Sequence, residues 1–421
     1  MNNGSSERRA VITGMGVVAP NGQTLEDFWH TLRHGLSAAD VIKEFDPRKY
    51  SSVIGAEIRN LDCSRYLDAK KLRRYDRSIR YGVTAACRAV EDAGVNLASL
   101  SPDRVGVVEG TTVCGFESLF KAHVNYLQDD PTRLNPIHVI NGYAGEGSSV
   151  VARELHIQGH SITLCSGCAS SNDAIGYARN MIRDDDADVM IVGGADANLL
   201  EPLWASYCSL GVMTKRRDNP QQAMRPFDKQ RDGLVLGDGA GCVVVEELAH
   251  ALGRGAKIYA EVLGHGRSCE AHHAVELHPE GIGIQRALHK ALRNARLHPT
   301  EVDYINAHGS STRLNDPIES RAIQTVFGAA APRLAVSATK PITGHTMGAA
   351  GVLESIICAL TLHHQEIPPT INLEEPDEGC ELDYVPHRSR PYPVRVAINL
   401  NAGFGGKNSC LVLGRYAGPS R

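Results

Sequence analysis

The sequence has no uninterrupted apolar run of about 18 residues, the length a bilayer-spanning helix needs. Its opening residues, Met1-Asn-Asn-Gly-Ser-Ser-Glu-Arg-Arg9, lack the apolar stretch of a secretory signal. Both absences lead us to expect a cytoplasmic protein that makes no membrane contact. Charge of one sign is missing too. The 44 Lys and Arg residues against 48 Asp and Glu leave a formal −4, so no global field calls for nucleic acid. Pairing patterns are absent among the 11 cysteines. Only Cys165 and Cys168 stand close together, with no second pair or paired histidines at zinc-site spacing and no thioredoxin-like context. An odd number scattered through apolar segments such as Gly241-Cys-Val-Val-Val-Glu246 reads as reduced, buried thiols. We expect neither a metal nor a disulfide framework.

What remains is an ordinary globular composition, 42% hydrophobic and 22% charged, in a chain of 421 residues. That length suffices for a large single core or two fused domains. Short apolar runs alternate with helix-length segments, which implies α/β layers with buried central strands. Strands are expected at 10–20, 104–109, 161–164, 188–193 and 241–246. After Lys257 a similar series restarts: strands at 258–263 and 302–306, helices at 283–297 and 349–363, and last strands at 394–400 and 409–413. We therefore expect a duplicated α/β fold, with halves 1–256 and 257–421 meeting back to back. Gly14 and Gly16 resemble a dinucleotide-binding turn, but Pro20 intervenes and no helix opens directly after them.

A strand, a chemistry-bearing residue and a small-residue turn recur once in each half. In Ser161-Ile-Thr-Leu-Cys-Ser-Gly-Cys-Ala-Ser170 the strand turns through Cys168 into a helix. A thiol at a helix N-terminus has its thiolate stabilised by unpaired N–H groups and the helix dipole. The bland alternative is a structural cysteine; Gly167 and the serines after Cys168 argue for a sharp elbow. Cys165 should lie on the strand and point into packing. In Val302-Asp-Tyr-Ile-Asn-Ala-His-Gly-Ser-Ser-Thr312 the strand ends at His308 before a hydroxyl-rich loop, a plausible cradle for an amide-bearing cofactor arm. Most lone histidines are simply satisfied polar groups. A third segment, Thr339-Lys-Pro-Ile-Thr-Gly-His-Thr-Met-Gly-Ala-Ala-Gly351, adds His345, and Lys340 and Glu354 flank it at distances that suit a buried ion pair. Gly403-Phe-Gly-Gly-Lys-Asn408 supplies a flexible turn with one aromatic ring, a natural gate. One cysteine with two distant histidines on strand-to-loop junctions suggests acyl-thioester chemistry. Lys70-Lys-Leu-Arg-Arg-Tyr-Asp-Arg77 and Lys215-Arg-Arg217 are basic runs in an acidic protein. Each is either a solvated helix face or a dock for an acidic partner.

Together these segments resemble the β-ketoacyl-acyl carrier protein synthases, the condensing enzymes of fatty acid and polyketide synthesis. The likeness runs nearly end to end. It includes Arg225-Pro-Phe-Asp228, Asp232-Gly-Leu-Val-Leu-Gly-Asp-Gly-Ala-Gly241, Asn306-Ala-His-Gly309, Thr343-Gly-His345, Pro368-Pro-Thr-Ile-Asn372 and Gly403-Phe-Gly-Gly406. The resemblance implies the thiolase fold, a duplicated five-layered α/β/α/β/α arrangement, and an acyltransferase that normally works as a dimer. It implies that Cys168 takes an acyl chain from the phosphopantetheine arm of acyl carrier protein. His308 and His345 would hold a malonyl thioester and assist its decarboxylation, and the backbone N–H groups of Cys168 and Phe404 would form the oxyanion hole. Ser310 and Thr312, with Gly403 and Gly405, match positions around the pantetheine arm. Lys340 and Glu354 match a supporting ion pair, and Phe404 a gate. The enzyme would need no cofactor of its own. Lys70, Lys71, Arg74 and Arg216 would dock the carrier protein.

Departures from the fatty-acid pattern lie at Ser166-Gly167 and in the loop Gly309-Ser-Ser-Thr-Arg-Leu-Asn-Asp316. Both look more like the catalytic subunit of aromatic or polyene type II polyketide systems, whereas Gly237–Gly241 and Gly344–Gly351 stay close to the KAS II type of fatty-acid elongation. A non-catalytic chain-length-factor subunit would lack the nucleophile, and a CoA-primed synthase would carry asparagine in place of one histidine. In the region from Leu134 to Ser149, His138 stands where elongating enzymes place a bulky aromatic. A partner is therefore expected, either a second copy or a cysteine-less paralogue.

Overall fold

The computed structural model describes residues 7–128 and 134–418. Residues 1–6, most of the segment in which no signal was read, lie outside them. Ten strands form one sheet. In the first half these are β1 (Ala10–Val18), β2 (Val105–Gly110), β3 (Ser161–Leu164), β4 (Val189–Asp196) and β5 (Gly239–Glu247). In the second half they are β6 (Ala260–Cys269), β7 (Tyr304–Asn306), β8 (Ala335–Ser337), β9 (Val396–Gly403) and β10 (Lys407–Gly414). The order across the sheet is β8-β7-β9-β10-β6-β1-β5-β4-β2-β3.

That order is one five-stranded pattern used twice. β1 pairs antiparallel with β5, β5 antiparallel with β4, and β4-β2-β3 run parallel. β6 pairs antiparallel with β10, β10 antiparallel with β9, and β9-β7-β8 run parallel. The two patterns join through β1 and β6, where Val11 meets Glu261 and Ile12 meets Ala260. Helices α1 (Arg77–Ala93) and α3 (Ile282–Ala295) cover the outer faces, while α2 (Ser170–Arg183) and α4 (Ala350–His364) lie between the half-sheets. Because α4 is covered on both sides, it is buried from Ala350 to Leu362. The stretch Met347–His364 is long and apolar enough to cross a membrane, but 89% of it is buried inside the protein.

The glycines of β1 are explained by packing and not by a nucleotide. A β-carbon on Gly14 would stand 2.3 Å from the Ala89 carbonyl oxygen, and one on Gly16 2.1 Å from that of Ala85. The second half repeats the device, with Gly264 against Ala291 at 2.5 Å and Gly266 against Ala287 at 2.1 Å. Small residues on strand and helix let α1 and α3 approach their half-sheets closely.

Candidate active site

Cys168 sits at an elbow whose shape is locally enforced. Edge strand β3 stops at Leu164, Gly167 adopts φ +66°, and α2 begins at Ser170. The Ser170 hydroxyl donates to the Gly167 carbonyl at 2.6 Å and accepts the Ser166 N–H at 2.9 Å. Cys165 corrects the sequence reading. It lies past the strand end and is exposed, because the chain has already left the sheet edge. Cys168 is the enclosed thiol, 3% exposed, and it faces a cavity of about 450 Å³.

The second half brings the histidines to the same cavity. Glu319 accepts the N–H groups of His308 at 2.6 Å and Gly309 at 2.9 Å, which fixes the start of the loop. Gly309 at φ +44° and Ser311 at φ +63° then wind the backbone. The buried Ser311 hydroxyl accepts the Arg225 N–H, while Ser310 and Thr312 hydroxyls meet at 2.9 Å on the cavity wall. Gly344 at φ +74° delivers His345, whose Nδ1 accepts the Met347 N–H at 3.3 Å. The neutral imidazole therefore carries its proton on Nε2. The two imidazole centroids are 5.3 Å apart at 81°. Behind them the Lys340 ammonium donates to Glu354 at 2.5 Å, and Asn401 donates to the other Glu354 oxygen at 2.6 Å.

Electrostatics set the resting protonation states. Burial lowers both imidazoles well below their ordinary value; Lys340 reinforces this in each case, and His345 does so for His308. Both are neutral at physiological pH. Burial also pushes the Cys168 thiol up to about 12, opposed by Lys340. Desolvation thus outweighs the stabilised thiolate expected from the helix N-terminus, and the free protein holds a thiol. The backbone completes the site. A β-carbon on Gly403 would stand 3.1 Å from the Cys168 nitrogen, and one on Gly167 3.7 Å from the Phe404 nitrogen. Among the described residues no backbone carbonyl accepts either N–H. Phe404 opens the turn between β9 and β10 and packs half-buried beside Cys168 and Met347.

Seven of the sequence candidates therefore line one cavity: Cys168, His308, His345, Ser310, Thr312, Gly403 and Phe404. Lys340 and Glu354 stand behind it, and Gly405 lies in the turn after Phe404 with φ +76°. The basic residues separate. Lys70 and Arg74 edge a surface groove beside Ile137 and Ile140. Lys71 instead bonds Glu154 at 2.7 Å, and Arg216 is half-buried, donating to the Gln230 carbonyl at 3.2 Å. Neither is a free docking cation. Sequence reasoning missed Glu319, eleven residues beyond the histidine it braces. It also missed Asp196, which accepts the Val113 N–H at 3.1 Å and the Gly348 N–H at 2.7 Å and so anchors the approach to α4. Among the described residues no three His, Cys, Asp or Glu side chains converge as metal ligands.

Residues 7–251 match the β-ketoacyl synthase N-terminal domain, and residues 259–374 match the C-terminal domain. The chain belongs to the β-ketoacyl synthase family. It is 41% identical to a 3-oxoacyl-[acyl-carrier-protein] synthase 2 of Coxiella burnetii, over 97% of this chain and 99% of that one. It is 39% identical to a putative polyketide β-ketoacyl synthase 1 of Streptomyces halstedii, over 98% and 99%. The ishigamide ketosynthase/chain length factor structure superposes with TM-score 0.90 at 36% identity, covering 98% of this chain and 100% of that one. A type II polyketide ketosynthase in complex with its acyl-carrier protein gives TM-score 0.90 at 30% identity, again covering 98% and 100%. The architecture is the thiolase fold, and this β-ketoacyl synthase is a condensing acyltransferase of fatty acid or polyketide synthesis.

Proposed function

We propose that the protein extends an acyl chain held on Cys168 by two carbons, using malonyl units delivered on acyl carrier protein. The observation that carries this reading is the convergence of one thiol, two neutral imidazoles and two unengaged backbone N–H groups in one cavity. In the first half-reaction the Cys168 sulfur attacks the thioester carbonyl of the incoming acyl-pantetheine. The new C–S bond forms, the old one breaks, and the thiol proton leaves on the pantetheine sulfur. The N–H groups of Cys168 and Phe404 hold the transient oxyanion. In the second half-reaction the malonyl thioester carbonyl accepts hydrogen bonds from His345 Nε2–H and from His308. Carbon dioxide departs, the enolate attacks the acyl-Cys168 carbonyl, and the cysteine sulfur leaves, taking one proton from water to restore the resting thiol. Lys340 assists by keeping both imidazoles neutral, and Ser310 and Thr312 hold the pantetheine amides. In this scheme residues 1–256 supply the nucleophile and residues 257–421 the decarboxylating pair. Incubation with acyl- and malonyl-carrier protein should yield a 3-oxoacyl product two carbons longer; acyl transfer without chain growth would contradict the reading.

The carrier is taken to dock on Lys70 and Arg74. Lys70→Glu with Arg74→Glu should raise KM for carrier-bound substrate about tenfold at low salt, an effect that fades above about 0.1 M as screening sets in. Unchanged kinetics at low salt would leave these residues as a solvated face. A dimer accounts for the neighbouring surface. Leu119, Leu127, Val139, Ile140 and Tyr143 are 46–72% exposed on and beside helices Phe116–Gln128 and Ile137–Asn141, which pack together. His138 is half-buried there, and its Nδ1 has no partner among the described residues. Sedimentation alone, then with a cysteine-less paralogue, should show a dimer in one of the two; a monomer that condenses by itself would contradict it.

A further inference from the structure

Two basic side chains line the cavity that holds Cys168. Lys215 follows Thr214, and Arg313 follows Thr312. Both side chains are exposed. Among the described residues neither the Lys215 ammonium nor the Arg313 guanidinium makes an ion pair or donates a side-chain hydrogen bond. Other basic residues around this part of the fold are committed. Arg231 bonds Asp377 at 2.6 Å, Arg225 bonds Asp228 at 2.8 Å, and Lys229 bonds Glu375 at 2.8 Å. Of the two acids on the same wall, Asp232 already accepts the Thr214 hydroxyl at 2.7 Å and the Lys215 N–H at 2.9 Å, whereas the Glu276 carboxylate has no partner among the described residues.

The order along the wall matters. Ser310 and Thr312, whose hydroxyls meet at 2.9 Å, suit the amides of a pantetheine arm, and Arg313 is the next residue outward. Ser310 is buried, Thr312 half-buried and Arg313 exposed, so a cation follows the amide-binding hydroxyls toward the mouth. A pantetheine arm carries its thioester at one end, two amides along its length and a phosphate at the other. We propose that Lys215 and Arg313 clasp the phosphate of the phosphopantetheine arm as it enters the cavity. The ligand is a phosphate ester, for which a guanidinium offers bidentate geometry and an ammonium a point charge. The proposal rests on the ketosynthase reading above and adds the residues that distinguish a phosphorylated arm from a bare one.

The test uses small acyl donors so that carrier docking plays no part. Octanoyl-4′-phosphopantetheine and octanoyl-pantetheine are each mixed with the whole enzyme, and the rate of Cys168 acylation is followed by mass spectrometry. The unaltered protein should prefer the phosphorylated donor by about tenfold or more at low salt. In the double variant Lys215→Ala, Arg313→Ala that ratio should collapse toward one, and Arg313→Lys should restore part of it. A ratio that survives in the double variant would overturn the proposal. So would an equal slowing of both donors, which would mark the two residues as shaping the mouth. In a parallel run with octanoyl-carrier protein as donor, slowing confined to that substrate would also overturn it, because the cations would then serve acidic side chains of the carrier. If neither donor labels Cys168 in the unaltered protein, the ketosynthase reading fails instead.

Discussion

Cys168→Ala is expected to abolish acyl transfer, lowering condensation by at least about 10,000-fold, as removing a covalent nucleophile does. The thiol has no neighbouring substitute. Cys165 is exposed and does not line the cavity, and among the cysteines of the described residues Cys168 alone lines it. Peptide mass spectrometry after incubation with an acyl-carrier protein should place the acyl group on Cys168 alone. The variant should still decarboxylate malonyl-carrier protein, since both imidazoles and their Lys340–Glu354 support remain. An acyl group found on Cys165 would overturn the assignment.

The second large effect divides the half-reactions. His308→Ala or His345→Ala should leave Cys168 acylation largely intact while malonyl decarboxylation falls by about 100- to 1,000-fold, the usual cost of losing one hydrogen-bond donor to a developing oxyanion. A variant that loses acyl transfer yet decarboxylates normally would reverse the roles. The same residues carry a pH signature. Burial first, and Lys340 next, hold both imidazoles well below 6.5, so the folded protein binds fewer protons than the unfolded chain at mildly acid pH. Stability therefore falls as the pH drops below about 6.5, by about 1.4 kcal/mol per unit for each histidine until its folded value is reached. Denaturant midpoints for the unaltered protein and for His308→Asn should converge as the pH falls from 7 to 5. A difference that is independent of pH would mean that the imidazole is not held neutral.

The site was legible in the sequence wherever chemistry coincided with a local signal. Glycines at Gly167, Gly309 and Gly344 mark turns with positive φ beside each reactive residue, and the strand-to-loop pattern placed Cys168 and His308 correctly, whereas His345 follows the short helix Lys340–Thr343 and not a strand. The duplication was also legible, because the series of strands and helices restarts after Lys257; the glycine-against-alanine packing shared by β1 with α1 and β6 with α3 emerged only on folding. What the sequence could not show was long-range pairing. Asp173 joins the Ser166 hydroxyl at 2.7 Å to His265 at 3.0 Å, and so ties the nucleophile's elbow to β6 of the other half. Gly176 makes room for it, since a β-carbon there would stand 2.2 Å from the imidazole. Protonation was misjudged for a related reason. A helix N-terminus is visible in sequence, but the desolvation that outweighs it comes from distant segments folding over Cys168. The basic runs likewise looked uniform, and only folding reveals that Glu154 claims Lys71 while Lys70 and Arg74 stay at the surface groove.

The most direct test of the account is a single turnover at Cys168. Enzyme pre-acylated with an unlabelled chain and freed of donor is mixed with malonyl-carrier protein carrying ¹³C in its malonyl unit, and carbon dioxide and products are followed together. The account predicts one carbon dioxide per acyl group lost from Cys168, and a carrier-bound 3-oxoacyl chain whose two added carbons carry the label. Carbon dioxide released with the acyl group still on Cys168, or an acyl chain that returns to the carrier unextended, would contradict it.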